Sequence, residues 1–281
     1  MTRIAFLDVD GTILEHGSVI APSTIAAVRR ARANGHLVWL CTGRAEGDIH
    51  PDVAGIGFDG AISNGGAFAT RDGAVLVDHP MPRADVDAVE RYFGEHGIHY
   101  FLQTHDAVYA SPGMNAVMDD FLRERTAQRD ADLAALGQQA DTAHRRRELR
   151  PVDEVDRNAV AKAVFVSPSA DTVAHAAAEL GDGFHVIPGS IPLPGGSNGE
   201  IGQAGVTKGS AILEVLAELG LDATDAIGIG DSWNDVEMFE VVGTPVAMGN
   251  AAPELQRLAG RVTTAVLDDG VHNAFADLGL I

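Results

Sequence analysis

The run Ile4 to Leu7 is wholly apolar and ends abruptly in Asp8-Val9-Asp10-Gly11-Thr12. Four consecutive apolar residues without polar alternation fit a strand buried on both faces, the kind found inside a parallel sheet covered by helices. In an extended chain the i, i+2 spacing turns Asp8 and Asp10 to the same side. Two like charges about 4 Å apart repel by roughly 1 to 4 kcal/mol, depending on the effective dielectric, so a positive group must stand beside them. A strand entering an ordinary Asp-Gly turn is the plainer alternative for this stretch by itself. The rest of the chain decides between the two.

Pro22-Ser23 marks a helix start with Ser23 as N-cap, and the alanine-rich stretch that follows stops at Asn34-Gly35. A second apolar run, Leu37 to Cys41, ends in Thr42-Gly43-Arg44. Strand, helix, strand in this order implies a right-handed parallel crossover. Ligands of such sheets lie beyond the carboxyl ends of the strands, where both Asp8 and Thr42 stand. A third strand, Ala61 to Ser63, runs into Asn64-Gly65-Gly66, and Ala67 to Val77 reads as a hairpin turning at Arg71-Asp72-Gly73.

Pro80 to Pro82 reads as a boundary, and residues 81–189 are expected to form a separate α+β unit. Its helices are read near Ala84 to His96, Met114 to Gln139 and Ala170 to Leu180, and its strands near His99 to Gln103, Ala107 to Ala110, Ala161 to Val166 and Phe184 to Ile187. Pro188 to Gly199, rich in glycine and proline, reads as the return linker. A helix from Thr207 to Leu219 and a strand from Ala226 to Ile229, ending in Gly230-Asp231, then resume the first rhythm, with further strands near Pro245 to Met248 and Arg261 to Thr264. The expected fold is α/β: a Rossmann-like, doubly wound parallel-sheet core from residues 1–80 and 190–281, interrupted by the α+β unit.

Three strand ends thus offer Asp8 with Asp10, Thr42, and Asp231 followed by Ser232-Trp233-Asn234-Asp235. If those strands are neighbours, four carboxylates converge, and oxygen-only ligands suit Mg²⁺, which keeps waters and bridges to phosphate oxygens. Lys208, at a helix start in Gly205-Val206-Thr207-Lys208-Gly209, is the natural second positive charge. An aspartate beside Mg²⁺ and a lysine can accept a phosphoryl group, and a second carboxyl nearby can serve as acid and then base. The Thr42 hydroxyl would donate to a phosphoryl oxygen.

A net charge of −20 argues against nucleic acid or an anionic membrane as partner, and it requires a local positive site for any phosphorylated substrate. No apolar run reaches the length of a membrane span. The single cysteine, Cys41, excludes an intrachain disulfide, fits a reducing cytoplasm, and reads as a core residue. The 11 histidines show no familiar metal-ligand spacing and read as structural or surface groups. The basic run His144 to Arg147 with Arg150 reads as a solvated helix face.

Four motifs in order, Asp8-Val9-Asp10-Gly11-Thr12, Thr42-Gly43-Arg44, Lys208-Gly209 and Gly230-Asp231-Ser232-Trp233-Asn234-Asp235, give a chain that resembles the haloacid dehalogenase (HAD) superfamily phosphatases. Within them it looks like the Cof-like subfamily IIB, with a C2-type cap inserted after the second motif. The resemblance implies Asp8 as nucleophile and metal ligand, and Asp10 as acid/base that also lends its backbone carbonyl to Mg²⁺. It implies Asp231 as the other protein ligand, Asp235 and Thr12 supporting from behind, and Thr42, Lys208 and Asn234 on the phosphoryl group. Arg44 and Asn64 are further candidates for substrate contact. The implied activity is Mg²⁺-dependent hydrolysis of a small phosphorylated metabolite, such as a sugar phosphate, by a monomer or homodimer, through an aspartyl-phosphate. A phosphomutase using the same chemistry and a non-catalytic phosphometabolite-binding protein are the alternatives.

Overall fold

The computed structural model describes residues 2–118, 130–131, 133–134, 149–189 and 196–281. The run Ile4–Leu7 forms β1, every residue of it buried. Two two-residue strands, β2 (Leu14–Glu15) and β3 (Val19–Ile20), make a small antiparallel flap. Then come β4 (Leu37–Cys41), β5 (Gly60–Ser63), and a hairpin of β6 (Phe68–Arg71) and β7 (Ala74–Asp78). The second unit holds β8 (His99–Gln103), β9 (Val108–Ala110), β10 (Leu149–Pro151), β11 (Lys162–Ser167), β12 (Phe184–Pro188) and β13 (Ser197–Gln203). The chain returns through β14 (Ala226–Gly230) and β15 (Thr244–Ala247).

The first sheet has seven strands in the order β15-β14-β1-β4-β5-β6-β7, parallel from β15 through β5 and antiparallel at the hairpin edge. Alternation along β1 divides its core. Ala5 and Leu7 pack with Val28 and Phe275 on one face, and Ile4 and Phe6 pack with Ile212 and Met238 on the other. Helices therefore cover both faces, Pro22–Ala33 and Gly270–Asp277 on the first, Lys208–Leu219 and Val236–Val241 on the second. The α/β doubly wound core expected from the sequence is what forms.

Register places the site. Leu7 pairs with Leu40 on one side and Ile229 on the other, so β1, β4 and β14 end level, and Asp8 N–H donates to the Ile229 carbonyl at 2.9 Å. Helix Lys208–Leu219 begins with a capping box in which Thr207 and Ser210 exchange side-chain and backbone bonds, which fixes the direction of Lys208 at its first position. Helix Pro22–Ala33 corrects the expected cap: Ala21 is the N-cap and Ser23 lies inside, because Pro22 lacks an N–H and fits the first helical position. Arg261 to Thr264 forms no strand, only an isolated bridge between Val262 and Ala247.

The second sheet has six strands in the order β10-β9-β8-β11-β13-β12. Helices Arg83–His96 and Thr172–Leu180 cover one face, where Val89, Phe93, Phe165 and Ala176 are buried together. This sheet corrects the expected boundary at residues 189 and 190. Ser197–Gln203, part of which reads as linker, is an inner strand paired on both sides with β11 and β12, so the inserted unit runs to Gln203. Gly199 is a packing requirement: a methyl group there would lie 2.6 Å from the Phe165 ring. Of the helix expected from Met114 to Gln139, residues 114–118, 130–131 and 133–134 are helical, while its other residues and the basic run His144 to Arg147 lie outside the described residues. Among the described residues no helix is long and apolar enough to cross a membrane.

Candidate active site

Asp8 follows β1 directly and is 4% exposed. Its Oδ1 accepts a hydrogen bond from Lys208 Nζ at 2.6 Å. The same ammonium donates to Asp235 Oδ1 at 2.6 Å and to Asn234 Oδ1 at 3.2 Å, so its three protons have three partners. The other oxygen of Asp235 accepts the backbone N–H groups of Asp231 at 3.0 Å and Ser232 at 3.1 Å. Asp235 therefore ties the loop after β14 to the ammonium and holds Asp231 in place. Ser232 Oγ donates to Asn234 Oδ1 at 2.8 Å, which fixes that amide.

One oxygen each of Asp8, Asp231 and Asp235 can be chosen so that all lie within 4.8 Å of one another. Asp231 Oδ1 is buried with no hydrogen-bond partner. Its other oxygen packs against Gly11, where an added methyl group would stand 2.1 Å away, and Gly11 itself has φ +83°. Burial, reinforced by Asp8 and Asp235, pushes the Asp231 carboxyl up to about 9. Burial also raises Asp8, to about 7, against the opposing pull of Lys208. For Lys208, burial alone would favour the neutral amine, but Asp235 and Asp8 outweigh it and keep the group well above the usual lysine value. Three carboxylates sharing one ammonium leave an excess of negative charge, and an unpaired buried oxygen marks where a cation would relieve it. The residues present fit a hard divalent ion: Asp8 and Asp231 have oxygens to give, whereas both oxygens of Asp235 are engaged.

The structure directs Asp10 and Arg44 at each other. Arg44 Nε and Nη2 donate to the two Asp10 oxygens at 2.6 and 2.7 Å, and Nη1 donates to the Asp48 carbonyl at 3.1 Å. A planar guanidinium matches a carboxylate at two points, so Arg44 clasps an acid instead of projecting into the cleft as a substrate contact. Thr42 is buried, and its Oγ1 accepts the Arg44 N–H at 3.2 Å. Thr12 is buried with its hydroxyl unpartnered. Asn64, at φ +53°, donates from Nδ2 to the Thr104 carbonyl at 3.0 Å, a link from the first sheet to the second.

Two residues absent from the sequence reading stand in the cleft between the sheets. Lys162 on β11 and Glu200 on β13 form an ion pair, and both line the cleft with Asn64, Gly65, Lys208 and Asn234. The Lys162 side chain is 5% exposed. A methyl group at Gly43 would lie 3.1 Å from Lys162 Nζ and 3.6 Å from both Glu200 Oε1 and Asn234 Nδ2, so the pair reaches the Thr42-Gly43-Arg44 turn. The available signal for Lys162 is a lone charge inside the apolar run Val160 to Val166; Glu200 directly follows the stretch read as linker, Pro188 to Gly199. Nearby, His185 of β12 pairs with Glu237 at 3.1 Å. Cys41 is buried, and burial raises its thiol far above the reactive range, in agreement with a core role.

The sequence pattern of the haloacid dehalogenase-like hydrolases matches residues 5–275. The 5-amino-6-(5-phospho-D-ribitylamino)uracil phosphatase YwtE of Bacillus subtilis is 27% identical over 282 residues, with 94% of each chain covered. The pyridoxal phosphate phosphatase YbhA of Escherichia coli is 27% identical over 255 residues, with 89% of each chain covered. Among solved structures, the HAD subclass IIB sugar phosphatase BT4131 superposes with a TM-score of 0.80 at 20% identity over the whole of both chains, a likeness of fold.

Proposed function

The chain belongs to the haloacid dehalogenase-like hydrolases and is a phosphatase of that family, and from that premise we propose that it hydrolyses small sugar or polyol monophosphates with Mg²⁺ through a phosphoryl group carried on Asp8. The carrying observation is the buried cluster in which Asp8 meets Lys208 beside an Asp231 oxygen that no protein group satisfies.

In this reading an Asp8 carboxylate oxygen attacks phosphorus as the bond from phosphorus to the leaving oxygen breaks. Asp10 gives that oxygen its proton. Asp10 then takes a proton from the water that attacks the aspartyl-phosphate, releasing inorganic phosphate and restoring Asp8. To reach the leaving oxygen, the Asp10 carboxylate has to swing out of the grip of Arg44, which holds it between turnovers. Lys208 and the Thr42 hydroxyl bear on the phosphoryl oxygens, and Asn234 orders the same loop. Asp8, Asp231 and the Asp10 backbone carbonyl would hold Mg²⁺, which supplies positive charge where the phosphoryl oxygens gather negative charge.

The inserted unit serves as a cap that selects the leaving group. Lys162 and Glu200 neutralise each other at the cleft wall while offering donors and acceptors side by side. Such a wall favours an uncharged, hydroxyl-rich leaving group over one with a second anionic group. The lone, buried Cys41 supports a cytoplasmic setting. Phosphate release from a panel of monophosphates, with Mg²⁺ and with chelator, tests the proposal: release from none of them overturns it.

A further inference from the structure

Alternation along β11 separates two environments. Lys162 faces the cleft, while Ala163 and Phe165 face the two helices of the inserted unit. On that far side His96, the last residue of helix Arg83–His96, meets His175 and Glu179, which stand i, i+4 on helix Thr172–Leu180. Glu179 Oε2 lies 3.2 Å from His96 Nε2 and 3.6 Å from His175 Nδ1. One donor atom from each of the three residues falls within 4.8 Å of the others. The two imidazole rings are edge to face with centroids 4.9 Å apart, and Tyr92 Oη sits 3.1 Å from His175 Nδ1.

We propose that His96, His175 and Glu179 form a binding site for a transition-metal ion of the zinc class, separate from the cation cluster at Asp8. Tetrahedral coordination with bonds of about 2.0 to 2.1 Å sets neighbouring donors about 3.3 Å apart, close to the two separations seen here. Two ordinary histidine-carboxylate ion pairs are the alternative. They would place both rings, 4.9 Å apart, on one carboxylate oxygen. A single divalent ion satisfies all three donors at once. Imidazole nitrogens favour zinc, nickel or copper over magnesium, whereas the Asp8 cluster offers oxygen alone. The side chains are 36% to 55% exposed, so a hydrated ion has access and a fourth position stays open to water. An ion on His175 Nδ1 would displace the Tyr92 hydroxyl that touches it, and Glu179 is the charge that, after burial, raises the Tyr92 ionisation above its usual value. An ion here would clamp the two helices together.

The test is a Zn²⁺ titration by calorimetry with excess Mg²⁺ present, on the native chain, Asp231→Asn and the double variant His96→Ala/His175→Ala. A parallel Co²⁺ titration reports geometry through its visible absorption. The site predicts one Zn²⁺ bound by the native chain and by Asp231→Asn, a tetrahedral Co²⁺ spectrum, and a higher Tm with Zn²⁺. It predicts affinity weakened by at least about 100-fold in the double variant, since losing direct ligands costs more than the 10- to 100-fold typical of outer partners. Circular dichroism of the double variant, altered only at exposed positions, checks its fold. Equal Zn²⁺ affinity in the native chain and the double variant overturns the proposal, as does binding lost only in Asp231→Asn.

Discussion

Lys208 Nζ stands 2.6 Å from Asp8 Oδ1, although 200 residues separate the two in the chain. Both side chains are almost fully buried, and the same ammonium reaches Asp235 at 2.6 Å. Asp235 comes from the same half of the core as Lys208 and Asp8 from the other, so one buried ammonium ties the two halves together, and an unpaired buried ion costs several kcal/mol.

Lys208→Met tests this joint. The variant keeps the stem volume but leaves Asp8 and Asp235 buried without their cation. Unfolding in urea should show a loss of about 3 to 5 kcal/mol, the usual cost of breaking a buried pair from one side. Turnover should fall with it. Unchanged stability would contradict the reading of Lys208 as the linking charge.

Asp10→Asn separates the two chemical steps. With p-nitrophenyl phosphate the leaving group departs without a proton, so transfer to Asp8 proceeds while attack by water lacks its base. Stopped-flow absorbance should show one burst of nitrophenolate followed by a rate at least about 100-fold below the native one, the lower range for a lost acid/base. Native steady-state turnover in the variant would remove Asp10 from the mechanism.

The acidity of the cluster gives a pH dependence whose sign is fixed. Asp231 at about 9 and Asp8 at about 7 both lie above the ordinary 3.8. The folded chain therefore binds these protons more tightly than the unfolded one. That contribution is complete below about pH 3.8 and is lost as pH rises through about 7 for Asp8 and about 9 for Asp231. In chelator, the Tm of the native chain relative to Asp231→Asn should fall as pH rises from about 5 to about 9. Saturating Mg²⁺ should flatten the slope. A gap independent of pH in chelator would contradict the assigned crowding.

Much of this was legible before the fold. β1, β4 and β14 are continuous apolar runs, and such runs have few places to go except the middle of a parallel sheet. Each ends in a polar motif, so Asp8, Thr42 and Asp231 were expected at one edge if those strands were neighbours, and the order β14-β1-β4 makes them neighbours. β13 was not legible, because Ser197–Gln203 has neither apolar alternation nor β-branched content beyond Ile201, and its strand form comes from pairing with β11 and β12. The Arg44–Asp10 clasp depends on side-chain direction, which no spacing encodes. Lys162 and Glu200 come from strands whose adjacency the linker reading removed.

Selectivity should respond to that last pair. Glu200→Gln leaves Lys162 uncompensated at the cleft wall, and an unpaired positive charge there attracts a second anion. The ratio of kcat/KM for a sugar bisphosphate to that for the matching monophosphate should rise about tenfold, equivalent to about 1.4 kcal/mol. Lys162→Met should lower the rate with sugar monophosphates while sparing p-nitrophenyl phosphate, which has no hydroxyls to read. Equal losses on both substrates would assign the pair to folding instead.

The central claim is that Asp8 carries the phosphoryl group in a divalent-ion-dependent hydrolysis, and release of inorganic phosphate from a panel of sugar monophosphates measures it most directly. The native chain with Mg²⁺ should release phosphate, chelator should stop it reversibly, and Asp8→Asn, folded by circular dichroism, should be slower by at least about 10⁴-fold. Release that persists in Asp8→Asn, or that ignores the chelator, would contradict the account.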